Sequence, residues 1–325
     1  MIQILKKLKH YQELKNAELL KEFSDSVKLV NLYDEHYILK EMKVPLSRKE
    51  ILNQHTYIQY LIDNGINISK ILGYYEENDI FYEVQEFIPG DFLIKTEDLI
   101  KLLSKFHCVS KKYANNLNKR YVFKVKYKCR GSQLNYLLLG FEEKYYKYPL
   151  DNFKKNSLYV SSDNLDTVNN LVKLFNKSYN IFVNKYDINS TIIHNDINST
   201  NVINNLGQLY LIDFDLCIKS SEYVDFVDAC MKRYDSIDYI EKNFKDFITN
   251  INKNIVIYNK YNSSLILQCE GVYLMCIIKL FAFYFYVMLR KENFNIFNEN
   301  LNVVYRICCN LYNLVGGSYD QKSKY

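Results

Sequence analysis

The chain has 325 residues, 48% of them apolar, enough to bury a sizeable core in two modest lobes and too apolar for a disordered chain. Its net charge of +5 is mild for this length; it suits an anionic ligand such as a nucleotide and gives no reason to expect nucleic acid. The eight cysteines form no Cys-x-x-Cys pair and no zinc spacing with the histidines, which excludes a disulfide or zinc scaffold and points to a reduced, cytoplasmic setting.

Residues 1–9 mix lysine with apolar residues at helical spacing and lack a signal-peptide core. Val27–Leu32 and Tyr37–Lys43 then read as two strands around a polar turn, Tyr33-Asp34-Glu35-His36. A helix comes next. Ser47 and Glu50 form a Ser-x-x-Glu capping box, Ile51, His55, Ile58 and Ile62 share a face, and Asn64-Gly65 supplies the stop. Ile68–Tyr75 and Ile80–Phe87 predict a second hairpin ended by Pro89-Gly90, which completes a small α+β lobe over residues 1–87.

After Gly90 the period changes. Leu99, Leu102, Leu103 and Phe106 recur at helical spacing, as do Leu165, Val168, Leu171, Val172, Phe175, Tyr179 and Phe182. Lys124, Lys126, Lys128 and Arg130 alternate with Phe123, Val125, Tyr127 and Cys129, so a strand here would set four cations on one face. A half-buried strand with a solvated basic side fits that pattern, and so does a platform for an anionic substrate or RNA backbone. Val202-Ile203 and Leu209–Ile212 read as short strands around a turn holding Gly207. Helical segments resume to the C-terminus. Gly271–Leu289 is apolar enough to be mistaken for a membrane span, but Lys279 near its centre would cost roughly 2.5–3.5 kcal/mol in a bilayer. A buried helix is expected there and no membrane span, within a mostly helical lobe of residues 88–325.

The chemistry-bearing segment is His194-Asn195-Asp196 to Asn201, spaced His-x-Asp-x-x-x-x-Asn, with Asp213-Phe214-Asp215 after the hairpin. Phosphoryl transfer needs a carboxylate to orient or deprotonate the incoming hydroxyl, and hard oxygen ligands for magnesium on the nucleotide phosphates. Asp196, Asn201 and Asp213 can supply these, because the hairpin returns Asp213 to the side of Asn201. His194 would fix the loop by hydrogen bonds. An Asx-rich surface turn would also bring such residues together, but without apolar strands in the right places on both sides.

This constellation resembles the catalytic loop of the aminoglycoside-phosphotransferase and choline-kinase superfamily, relatives of the protein kinases, and the resemblance extends over most of the chain. It implies an α+β, protein-kinase-like two-lobed fold. It also implies an enzyme that moves the ATP γ-phosphoryl group, with Mg2+, to a hydroxyl of a small molecule of aminoglycoside, choline or sugar type. By the same resemblance Asp196 is the base or orienting acid, Asn201 and Asp213 hold the magnesium, and Lys40 of Ile38-Leu39-Lys40 engages the phosphates. Glu83–Gly90 resembles the interlobe hinge, where the backbone at Glu86 and Ile88 would hold the adenine. The first glycine is Gly65, so Ser24-Asp25-Ser26 stands in for a glycine-rich phosphate loop, with Ser24 and Ser26 as the expected contacts. Glu50 is the nearest helix partner for Lys40, its capping box explains it equally well, and Gln54 lies closer to mid-helix.

Leu102–His107 resembles the family's leucine-rich helix ending in Phe/Leu-His, and Asp225-Phe226-Val227 falls where the family has an acid that braces the catalytic loop. Asp213-Phe214-Asp215, the hinge wording and the helix from Phe106 to Tyr113 are similar to bacterial spore-coat kinase-like proteins of the S type. That likeness implies an alternative: a catalytically weak scaffold at the spore coat, with coat proteins as partners. A protein kinase is disfavoured, since those carry lysine two residues after the catalytic aspartate, where this chain has Asn198.

Overall fold

The computed structural model describes residues 17–24, 26–32, 34–42, 48–77, 80–116, 141–198, 200–231, 236–288 and 294–320. The basic stretch 123–130 and residues 1–9 lie outside them. The chain divides into two compact units: one runs to Ile94 and takes in Ser199–Asp215, and the other holds Lys95–Ala114, continues to Asn198 and resumes at Leu216.

The first unit is an antiparallel sheet of five strands: β1 (Glu18–Ser24), β2 (Val27–Leu32), β3 (Glu35–Met42), β4 (Ile71–Glu77) and β5 (Ile80–Glu86), in the order β1-β2-β3-β5-β4. Because side chains alternate along a strand, the register sorts them into two faces. One face buries Val30 and Val84 against Tyr37, Leu39, Leu72 and Tyr82. The other carries Leu29, Ile38, Lys40, Glu83 and Gln85. The edge strand β1 is exposed along its whole length, and its mixture of charges and leucines shows no alternation to mark it as a strand.

Helix α1 (Arg48–Asp63) connects β3 to β4. Its buried stripe is Gln54, Tyr57, Ile58 and Leu61. The expected stripe through His55 and Ile62 is only partly buried, because the helix turns about Ile58 to bring Tyr57 and Leu61, one turn apart, inward. The Asn64-Gly65 stop is a Schellman ending: Ile66 N–H donates to Leu61 O (3.0 Å), Gly65 N–H donates to Ile62 O (3.0 Å), and Gly65 takes φ +78°.

A hairpin far along the chain completes this unit. Strands β7 (Val202–Asn205) and β8 (Gln208–Leu211) turn through Leu206 and Gly207, both at positive φ. Leu211 N–H donates to Asn67 O (3.0 Å), and the Asn67 amide returns a bond to Leu209 O (3.2 Å). Asp91 and Asn204 exchange backbone bonds of 3.1 and 2.8 Å. The backbones approach so closely that a Cβ on Gly90 would lie 2.4 Å from Asn204 O, so only glycine fits there. Ile68, expected to open β4, instead bridges to Leu211.

The second unit is mostly helical: α2 (Thr96–Asn116), a π-type turn (Glu143–Lys147) leading into α3 (Tyr148–Asn156), α4 (Leu165–Lys185), α5 (Tyr223–Met231), α6 (Ile237–Lys242), α7 (Phe244–Tyr261), α8 (Cys269–Ala282) and α9 (Phe294–Asp320). A two-stranded ribbon of β6 (Thr191–Ile193) and β9 (Ile218–Ser220) lies among them in sequence. Helix α8 is the buried centre, packed on α4 and α9. Phe281 stacks on Phe175 at 3.8 Å and on Phe285 at 4.1 Å between ring centroids. Lys279 is accommodated by an ion pair with Asp228 and by the Tyr145 ring at 5.7 Å. Among the described residues no helix is long and apolar enough to cross a membrane. The fold is α+β, with a small antiparallel sheet unit and a mostly helical remainder.

Candidate active site

The segment from His194 to Asp196 leaves β6, whose residues Thr191 to Ile193 pair with Ser220 to Ile218 of β9. A single buried carboxylate organises this loop. His194 N–H donates to Asp225 Oδ2 (2.7 Å), and Asn195 N–H donates to Asp225 Oδ1 (2.8 Å). On its other side Asp225 meets His107 Nε2 at 3.0 Å, while His107 Nδ1 lies 2.9 Å from the Tyr258 hydroxyl. Burial alone would raise the Asp225 carboxyl. The His107 hydrogen bond and charge, with the His194 ring and backbone amide, outweigh it and hold the group below its ordinary value. The backbone of the loop is therefore tied to two helices, α2 through His107 and α5 through Asp225.

Asn195 takes a left-handed conformation (φ +66°), and both ends of its amide are held. Its Oδ1 accepts from Lys144 Nζ (2.6 Å), and its Nδ2 donates to Leu216 O (3.1 Å). Lys144 is itself buried, with its ammonium 5.2 Å from the Tyr145 ring centroid. Asp196 comes next, half-buried, and its Oδ1 accepts from Asn198 Nδ2 (3.1 Å). Ile197 is wholly buried, so the loop is anchored on both sides of Asp196.

Asn201, Lys40 and Asp213 belong to the sheet unit. Ile212 N–H donates to Asn201 O (3.1 Å) at the base of the β7–β8 hairpin, which returns Asp213 to the side of Asn201. Asp213 adopts φ +61°, and its Oδ1 lies 2.6 Å from Lys40 Nζ on β3. The lysine side chain is 11% exposed and the aspartate 43%, so the acid faces solvent and the base does not. Among the described residues no cluster of three or more His, Cys, Asp or Glu could hold a metal by itself. One carboxylate and one amide oxygen are the donor set that suits Mg2+, which keeps waters and takes further oxygens from substrate phosphates.

Ser24 and Ser26 flank the turn between β1 and β2, with their hydroxyls 3.4 Å apart. Glu41 N–H donates to Ser26 O (2.7 Å), fastening this turn to β3 one residue past Lys40. Glu86 ends β5, and its carbonyl accepts from Ser69 Oγ (2.7 Å); Ile88 is buried just beyond. Glu50 lies in the first turn of α1, and its side chain is outside the described residues. Two partners of site residues are not apparent in the sequence. Lys144 stands on the apolar stripe of Phe141 and Tyr145, and a lone cation among aromatics is the only signal it gives. Glu83, buried opposite Lys40, gives only the alternation of a short strand.

The five-stranded sheet unit and the mostly helical unit, with a His-x-Asp-x-x-x-x-Asn segment passing from one into the other, define a kinase-like protein. Residues 16–242 match the Phosphotransferase enzyme family, and the chain belongs to it. Its structure is similar to that of the microcompartment-associated aminopropanol kinase, with a TM-score of 0.59 and 14% identity over 97% of this chain and 99% of that one. It is also similar to the choline kinase LicA from Streptococcus pneumoniae, with a TM-score of 0.52 and 13% identity over 95% and 99% of the two chains. A structure of LicA in complex with AMP aligns with a TM-score of 0.50 and 14% identity over 95% and 97%. Likeness at these identities shows the fold. A comparison with curated protein sequences finds no match.

Proposed function

We propose that the protein is an ATP- and Mg2+-dependent phosphotransferase that moves the γ-phosphoryl group to a hydroxyl of a small molecule of aminoglycoside, choline or sugar type. The observation that carries this reading is the Lys40–Asp213 pair at the base of the Asn201 hairpin, in a chain of the Phosphotransferase enzyme family. Lys40 engages the nucleotide phosphates. Asn201 and Asp213 hold magnesium, which when bound neutralises charge on the phosphate oxygens. The Ser24–Ser26 turn covers the phosphates, the backbone at Glu86 and Ile88 holds the adenine, and Glu50 enters from the helix. Asp196 orients the acceptor hydroxyl and takes its proton, on a loop whose conformation Asp225 and Lys144 fix. The cytoplasm, which supplies ATP and keeps the cysteines reduced, is the compartment this reading requires.

The test combines calorimetric titration with Mg-ATP and a transfer assay across aminoglycosides, choline, other amino alcohols, sugars and homoserine. Magnesium-dependent binding and turnover of at least one acceptor are expected. Absence of nucleotide binding overturns the reading. Binding without transfer to any acceptor favours the spore-coat scaffold that the Asp213-Phe214-Asp215 likeness suggests.

A further inference from the structure

We propose that Glu83 is the positioning residue for Lys40, holding the ammonium in place when Asp213 turns to the metal. This rests on the reading of Lys40 and Asp213 as phosphate and metal groups. Lys40 on β3 and Glu83 on β5 are direct partners in the antiparallel register. Such partners project from the same face with Cβ atoms about 4.5–5.5 Å apart, well within the combined reach of a lysine and a glutamate. Glu83 is 1% exposed, the most deeply buried carboxylate among the described residues of the sheet unit. A carboxylate at that depth is costly unless a cation and hydrogen-bond donors compensate it. Gln85 supplies a donor to its Oε1, and the register sets Lys40 on its face.

Asp213 Oδ1 lies 2.6 Å from Lys40 Nζ, and on the proposed reading the same carboxylate would hold magnesium. Its two oxygens let both roles coexist, but a metal at Asp213 would weaken its hold on the ammonium. Lys40, only 11% exposed, would then gain from a second acid that aims it. On α1, the buried stripe offers Gln54, a neutral side chain, and Glu50, the helix acid of the proposed function, lies in the first turn. The strand β5 brings a second charge, buried within the sheet. Lys40 thus stands between two carboxylates, one fixed in the sheet and one shared with the metal.

The experiment is a double-mutant cycle on the full chain with Glu83→Gln and Lys40→Met, read by Mg-ATP affinity and by the thermal unfolding midpoint. Glu83→Gln keeps the shape of the side chain and removes its charge. It is expected to weaken Mg-ATP binding by about tenfold in the wild-type background and by less than about twofold beside Lys40→Met. In the unfolding midpoint, the double variant is expected to lose no more than the worse single variant. Additive losses in both measurements overturn the pairing and leave Glu83 a structural residue only. If the wild type binds no Mg-ATP, the proposed function fails while the midpoint cycle still decides the pair.

Discussion

Lys40 Nζ and Asp213 Oδ1 lie 2.6 Å apart although 173 positions separate the residues in sequence. The pair is lopsided, with the lysine held in the sheet and the aspartate 43% exposed at the end of a hairpin. Asp213→Asn keeps the shape and removes the charge on which the proposed metal role depends. Affinity for Mg-ATP is expected to fall by about tenfold or more, since that role would lose a charged ligand to a divalent ion. Stability should change by no more than about 1 kcal/mol, the scale of a half-exposed pair. Calorimetry and thermal unfolding check both halves, and unchanged nucleotide affinity refutes the metal assignment.

Asp196 faces a different task. Asp196→Ala is expected to lower phosphoryl transfer by about 10²–10⁴-fold, the usual worth of a positioned general base. Nucleotide affinity should stay near that of the wild type, because in the proposed role the carboxylate serves the acceptor hydroxyl. Asn201→Ala should weaken both. Equal transfer by wild type and Asp196→Ala, above the buffer rate, removes Asp196 from the mechanism.

Asp225 makes a prediction in pH. Its carboxyl titrates below its ordinary value of 3.8 in the folded chain, so the stability it contributes is fully present above that value and is lost as pH falls through the lower, folded value. Asp225→Asn sets an amide NH2 where the carboxylate accepted from the His194 and Asn195 amides and faced His107. A loss of about 3–5 kcal/mol is expected near neutral pH, as when one partner of a buried charged network is removed. The gap between wild type and variant should narrow as pH is taken below 3.8. A gap that stays constant with pH, measured by denaturant unfolding, contradicts the assignment.

Lys144 tests whether the loop conformation matters to catalysis. Lys144→Met fills the same space but withdraws the donor from Asn195 Oδ1, leaving a buried amide oxygen short of a partner. Misplacement of a reacting group by about 1 Å costs up to about 10²-fold in rate, so a fall of about tenfold to a hundredfold in turnover is expected. Nucleotide affinity should be unaffected. Lys144→Arg, which restores a cation, should recover part of the rate. A variant with full turnover would show that Asn195 needs no help from Lys144.

The features legible in the sequence are mostly local. The Asn64-Gly65 stop, the strands β2 and β3 and the β7–β8 turn with Gly207 each depend on a few adjacent residues, and each is present, although Glu35 and His36, expected in the turn, open β3. The return of Asp213 to Asn201 is legible too, because a two-residue hairpin turn fixes the register of its strands. The hidden contacts join distant parts of the chain. Nothing near Lys144 names Asn195 as its partner, and nothing near Glu83 shows that β5 rather than β2 flanks Lys40 on that side. The inward stripe of α1 differs from its sequence pattern for a related reason. Ile51, His55, Ile58 and Ile62 make a regular pattern, but Tyr57 and Leu61 are among the side chains the fold buries, and tertiary packing decides. The edge strand β1 carries no signal because it buries nothing.

The β7–β8 hairpin also bears on how the protein is made. A ribosome releases the five strands of the sheet long before it reaches Ser199–Asp215, the segment that supplies Leu211 to Asn67 and Asn204 to Asp91. At about 5–20 residues per second the nascent sheet waits seconds for its last piece, with the Asn67 carbonyl and the backbone of Asp91 hydrated in the interval. A fragment cut at Ile94 lacks that piece altogether. The unit that holds Lys40 is thus discontinuous in the gene, and a recombinant version of it would need Ser199–Asp215 spliced back on by a linker.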